Sequence, residues 1–147
     1  MKSDLSAEQA RDLRALAGLI IPPSAAYGVP GADDEPIFND ILASLERDRD
    51  DICRALADLA TLARGAFADL EPARRLEVAA MFREAGGAPL AALVRVVLLC
   101  YYRDDRVMRS LGQEPRPPFP KGHIVEQGDW SLLDPVRKRP RMYRLVD

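Results

Sequence analysis

Histidine is nearly missing from this chain, with His123 the sole example, and there are only two cysteines, Cys53 and Cys100, and one tryptophan. One imidazole with no Cys or second His at ligand spacing gives no zinc site of familiar pattern. As a general base it would need a positioned partner that the sequence does not supply, so His123 is read as a structural or surface residue. The two thiols stand apart, outside any CxxC pair, and are read as small buried hydrophobes. An excess of one charge is also lacking: 21 Lys and Arg stand against 23 Asp and Glu, a formal net of −2, which gives no global attraction to nucleic acid or anionic lipid. GxGxxG, P-loop, GxSxG and HExxH patterns are absent, so neither a resident dinucleotide nor a catalytic centre of those types is expected. No long hydrophobic run occurs. The most apolar stretch, residues 88–102, falls short of the ~20 residues that cross a bilayer and carries Arg95 at its middle. The amino terminus has no apolar run before a cleavage site and no twin-arginine pair, so the expected location is the cytoplasm, with the periplasm open only to a chain exported with a partner.

What is present is helical periodicity. With 48% hydrophobic and 30% charged residues, the 147-residue chain can bury about two-thirds of its unfolded surface as one domain without a disulfide or metal staple. Ser6 and Gln9 form a capping-box pattern ahead of Ala10, Leu13, Leu16, Ala17 and Ile20 on one face, and Pro22-Pro23 ends that helix. Residues 22–33 read as a loop. Asp34 and Pro36 open a second helix with Ile37, Ile41, Leu42 and Leu45, and the charged run 46–51 reads as its solvated end or a turn. Ile52, Leu56, Leu59, Ala60, Ala63 and Phe67 mark a third stripe. Pro72 opens a fourth helix, with Leu76, Ala79, Ala80 and Phe82 expected inward, and Gly86-Gly87 predicts a left-handed C-terminal cap. The 88–102 helix is apolar nearly all round, so it is expected to be buried on most sides, Leu98 included, with the others packed about it. Asp104 then caps a short helix through Val107, Met108 and Leu111 to Gly112.

Beyond Gly112 the periodicity stops. Prolines 115, 117, 118, 120, 135 and 140 and glycines 122 and 128 preclude a long helix, while Phe119, Ile124, Val125, Trp130, Leu132, Leu133, Val136, Met142, Tyr143 and Leu145 are too apolar for a free linker and should be buried against something. The predicted fold is therefore all-α: a compact bundle of about five to six helices around a buried central helix (88–102), with a helical body over 1–112 and a long irregular Pro/Gly-rich arm over 113–147 belonging to the same domain. The arm carries a net +2 and the body −4. Its basic cluster, Arg137 to Arg144, resembles a weak nucleic-acid patch, but the acidic body opposes that use. Pairing of these arginines with carboxylates fits better, with the aromatic residues as anchors, so Phe119, Trp130, Arg137, Arg139, Arg141, Tyr143 and Arg144 are the candidate partner-binding residues. The acid pairs Asp33-Asp34, Asp50-Asp51 and Asp104-Asp105 sit at helix starts or turns and read as caps.

Leu16-Ala17-Gly18-Leu19-Ile20-Ile21-Pro22, Val29-Pro30-Gly31-Ala32-Asp33-Asp34 and the helix from Pro36 to Leu42 are similar to the opening of the gluconate 2-dehydrogenase subunit 3 family. Phe67-Ala68-Asp69-Leu70-Glu71-Pro72, Tyr101-Tyr102-Arg103-Asp104, Leu111-Gly112 and the Pro-rich arm follow the same pattern, over about residues 10–145. The resemblance implies a small subunit without catalytic residues or a cofactor of its own, which supports the folding, stability or export of a large partner. That partner would be a FAD-dependent dehydrogenase of the glucose-methanol-choline oxidoreductase type acting on sugars, glycosides or polyols, with a cytochrome c or another carrier taking the electrons. Many such small subunits begin with a twin-arginine signal and this sequence does not, which implies a cytoplasmic complex or a partner that carries its own signal. The competing reading is a stand-alone regulatory or nucleic-acid-associated helical domain. Neither reading includes a membrane span.

Overall fold

The computed structural model describes residues 5–116, 122 and 125–140. The chain divides into two compact units, Met1–Pro115 and Arg116–Asp147. The first holds α1 (Ala7–Ile20), α2 (Glu35–Ala43), α3 (Arg49–Ala63), α4 (Pro72–Ala85), α5 (Ala88–Tyr102) and α6 (Asp105–Ser110), and the second holds the single-turn α7 (Asp134–Arg137). Among the described residues there is no strand, only one isolated antiparallel bridge between Ser24 and Val29, so the all-α expectation holds.

Several helix boundaries have a local cause. The Ser6 hydroxyl accepts from the Gln9 N–H at 3.1 Å and the Gln9 side chain accepts from the Ser6 N–H at 2.9 Å, closing the capping box that starts α1. Pro22 and Pro23 cannot continue the ladder, and α1 ends at Ile20. The following loop is tied down: Ser24 and Val29 exchange backbone bonds of 3.0 and 3.1 Å, and the Ala32 N–H donates to the Ile21 carbonyl at 2.9 Å. Two glycines permit its close approach to α1, because a Cβ on Gly31 would lie 2.5 Å from the Asp33 carboxylate and one on Gly18 2.9 Å from its Cγ. The charged run after α2 forms a 3-10 turn over Glu46–Asp48, but it is not simply solvated, since the Asp48 side chain is only 12% exposed and is paired with Arg95. The Asp104 carboxylate accepts from the Arg106 N–H at 2.9 Å and caps α6 as expected.

The core draws on all six helices of the first unit, α6 contributing Val107. Leu13, Ile41, Ile52, Leu59, Phe67 and Val97 are essentially inaccessible. Phe67 lies beyond the end of α3, in a 3-10 turn over Phe67–Asp69 rather than on the helical stripe. Three expectations need correction. On α4 the buried pair is Val78 and Phe82, Ala79 and Ala80 are half-buried, and Leu76 is 59% exposed. Apolar residues lie all round α4, so periodicity did not select its inner face. Gly86 has a positive φ of 64° but a ψ of −146°, a conformation reserved for glycine and distinct from the left-handed cap; it turns the chain so that α4 and α5 meet at 116°. Finally, α5 spans the predicted residues but is not buried on most sides. It buries Ala92, Leu93, Val96, Val97, Cys100 and Tyr101, mainly against α3 and α2, and leaves Leu98, Leu99 and Tyr102 exposed.

In the second unit, the Asp129 carboxylate accepts from the Ser131 N–H at 3.0 Å and its hydroxyl at 2.6 Å, starting a 3-10 turn over Trp130–Leu133 that leads into α7. Arg137 reaches back to Asp134 at 3.4 Å, and Arg116 donates to the Gly122 carbonyl at 2.8 Å. Of the ten arm residues expected to be buried, Val125, Trp130, Leu132, Leu133 and Val136 are described, and all five are exposed. Phe119, Ile124, Met142, Tyr143 and Leu145 lie outside the described residues.

Candidate functional site

The charged side chains of the first unit mostly serve its own assembly. Arg103, just past α5, forms a two-pronged pair with Asp40 of α2 at 2.6 and 2.5 Å and also donates to the Ser44 hydroxyl at 2.6 Å. Arg106 joins Asp34 at 2.6 Å to Asp104 at 3.0 Å, so Asp34 holds α6 to the start of α2 and makes no side-chain cap of its own. Arg95 pairs with Asp48. These bonds push the guanidinium pKa values of Arg103 and Arg106 further up, against a smaller opposing effect of burial. The Arg106 side chain, then its backbone N–H, hold the Asp104 carboxyl below the usual carboxylate range.

A second set of contacts fixes α1. Asp12 is only 3% exposed, and its carboxylate accepts from the Ala68 N–H at 2.8 Å. Arg75 of α4 donates to the Ala68 and Leu70 carbonyls at 2.6 and 2.9 Å, while Arg11 pairs with Asp69. The Arg14 guanidinium lies 5.4 Å above the Phe38 ring and donates to the Asp33 carbonyl at 2.9 Å. The Tyr101 hydroxyl donates to the Pro30 carbonyl at 3.2 Å. Segments far apart in sequence thus meet: the 29–34 loop is held by Tyr101 and Arg106, and the 67–70 turn by Asp12. In this setting Asp12, which no pattern singled out, is structural. Burial pushes the Cys100 thiol up, partly countered by a hydrogen bond with Ser44, so it remains a protonated core thiol as expected. Cys53 is free and partly exposed. Among the described residues no three His, Cys, Asp or Glu side chains come together to hold a metal ion.

The feature left unexplained by assembly is an apolar groove of about 490 Å³ between α1, α4 and α5. Leu16, Leu19 and Ile20 line it from α1, Leu76, Ala79, Ala80, Phe82 and Arg83 from α4, and Leu90 and Val94 from α5. Leu98 continues the last of these rows at helical spacing, and Met81 of α4 is also exposed. Soluble surfaces seldom leave contiguous apolar patches open without an interaction to cover them. The signal is present in the sequence, as a helix apolar nearly all round, a pattern that predicts burial on most sides within the chain.

Of the partner-binding candidates, Trp130, Arg137 and Arg139 are described and exposed; the Trp130 indole N–H donates to the Gln127 side chain at 3.2 Å. Phe119, Arg141, Tyr143 and Arg144 lie outside the described residues, as does His123. Among the described residues no single helix is long and apolar enough to cross a membrane, although α4 and α5 would qualify by length and composition as a pair bent by 116°. No protein-family model, curated protein or solved structure matches this chain.

Proposed function

We propose that this chain is the non-catalytic small subunit of a FAD-dependent dehydrogenase of the glucose-methanol-choline oxidoreductase type, acting on sugars, glycosides or polyols. In this role it binds and stabilises the flavoprotein and carries neither the flavin nor the reacting groups. The observation that carries the reading is the uncovered apolar groove of α1, α4 and α5 on a body whose charged side chains mostly pair with one another. The resemblance in the 16–22, 29–34, 67–72 and 101–104 segments supplies the class of partner. A partner that binds only the folded form stabilises it by mass action, which fits a subunit with this much exposed apolar surface. The arm adds Trp130, Arg137 and Arg139 to the contact surface, with Phe119, Arg141, Tyr143 and Arg144 beyond the described residues.

The test is co-purification from the native host followed by an absorbance scan for flavin and haem. A stoichiometric complex with a flavin-containing large subunit is expected, whereas the chain purified alone should show no dehydrogenase turnover. Turnover by the isolated chain, or its recovery without any flavoprotein, would sink the reading.

A further inference from the structure

Three rows of side chains meet in the groove, each at the spacing of one helix face: Leu16, Leu19 and Ile20; Leu76, Ala79, Ala80 and Arg83; and Leu90 and Val94. Rows at i, i+3, i+4 and i+7 are what a packed helix presents to a neighbour, so the groove has the form of a helix-packing site that lacks one helix. Ala79 and Ala80 keep part of its wall low, which allows close approach of a backbone. One charge interrupts the apolar lining. Arg83 has no ion-pair partner among the described residues, unlike Arg95, Arg103 and Arg106, which all hold carboxylates.

We propose that the groove receives an amphipathic helix of a partner protein, apolar at i, i+3 or i+4 and i+7, with an aspartate or glutamate placed against Arg83. The identity of the partner as a flavoprotein rests on the reading above; the shape and charge of the docked element do not. A second copy of this chain fits less well. A two-fold contact through this face would oppose two concave surfaces and bring both Arg83 side chains to one interface, where like charges repel.

The experiment titrates the full chain, with its Leu and Val methyl groups isotopically labelled, with three short helical peptides. The first has leucines at i, i+4 and i+7 and a glutamate set to face Arg83, the second has lysine in place of that glutamate, and the third is a scramble of the first. The first peptide should shift the methyls of Leu76, Leu90 and Val94 and bind about fivefold more tightly than the second, as one interfacial ion pair allows, and Arg83→Glu should reverse the order. Equal binding of all three peptides, shifts confined to other methyls, or concentration-dependent shifts of the groove methyls without peptide would overturn the proposal, the last by assigning the face to a dimer. In parallel, a photo-crosslinker at position 80 of the chain co-produced with the flavoprotein should label a helical segment of that partner that carries an acid. Labelling of a strand, a loop or a second copy overturns the proposal while leaving the subunit reading in place. Absence of any flavoprotein complex removes the subunit reading, and the peptide series then decides the groove by itself.

Discussion

On one flank of α5, Arg95, Leu99 and Arg103 stand four residues apart, and the two arginines reach Asp48 and Asp40. On the other flank Leu90, Val94 and Leu98 repeat the same spacing, and nothing polar ties them to a neighbour; two of them line an open groove. The spacing is identical and the chemistry is opposite. On the arginine flank both guanidinium groups are held by carboxylates of this chain, while Leu99 between them is 60% exposed. The leucine flank has no such hold, and it borders the groove that the proposed partner helix would cover. Arginines at this spacing therefore tie α5 to elements earlier in the chain, whereas apolar residues at the same spacing border an open groove.

The comparison breaks first in the core between the two flanks. Leu59 of α3 is fully buried. Leu59→Ala should cost ~2–5 kcal/mol in chemical denaturation, by lost transfer energy plus the cavity left behind. A loss under about 1 kcal/mol would mean that α3 is not the element on which both flanks rest.

Next in size is Asp12. Asp12→Ala leaves the Ala68 N–H without its acceptor and should cost ~1–3 kcal/mol, whereas Asp12→Asn keeps an oxygen in place and should cost less. If the two variants unfold at the same denaturant concentration, the hydrogen bond to the 67–69 turn is not what Asp12 contributes.

The arginine flank is sharpened by Asp104, which caps α6 and pairs with Arg106. Asp104→Ala should cost ~0.5–2 kcal/mol. Its carboxyl is held below the ordinary value of 3.8, so its contribution is fully present above that pH and is lost as pH falls through the lowered folded value. In Asp104→Asn this part of the acid dependence should be missing. An unchanged acid limb would show that Arg106 does not favour the charged form.

Sequence periodicity located all six helices of the body because caps and breakers are local: Ser6-Gln9, Pro22-Pro23, Pro36, Pro72, Gly86-Gly87 and Asp104 each act within a few residues. It also identified Leu13, Ile41 and Leu59 as core. It failed where an apolar residue could face either of two ways, at Leu76 and Leu98, because hydrophobicity alone does not say which neighbour is supplied by the same chain. Asp12 was missed for a related reason. An acid among leucines on a helix looks solvated until a turn 56 residues away brings it an N–H. The groove was legible only as an apolar excess on α5, because its walls come from three helices, α1, α4 and α5, that are brought together only in the folded chain.

The smallest expected effect is the most informative about the leucine flank. Leu76 is 59% exposed and Leu98 37% exposed in this chain alone. Leu76→Ala should therefore change the stability of the isolated chain by about 0.5 kcal/mol or less, and Leu98→Ala by about 1 kcal/mol, far below the cost of Leu59→Ala although all three remove the same atoms. If a helix of a partner fills the groove, the same truncation of Leu76 leaves a cavity in the complex that the free chain does not have. Leu76→Ala should then weaken association by ~1–3 kcal/mol while leaving the denaturation midpoint of the free chain almost unmoved. The two measurements have to diverge. A midpoint that falls as far for Leu76→Ala as for Leu59→Ala would place Leu76 inside the core after all, and equal affinity of wild type and variant for the flavoprotein would move the docking surface away from this flank of α5.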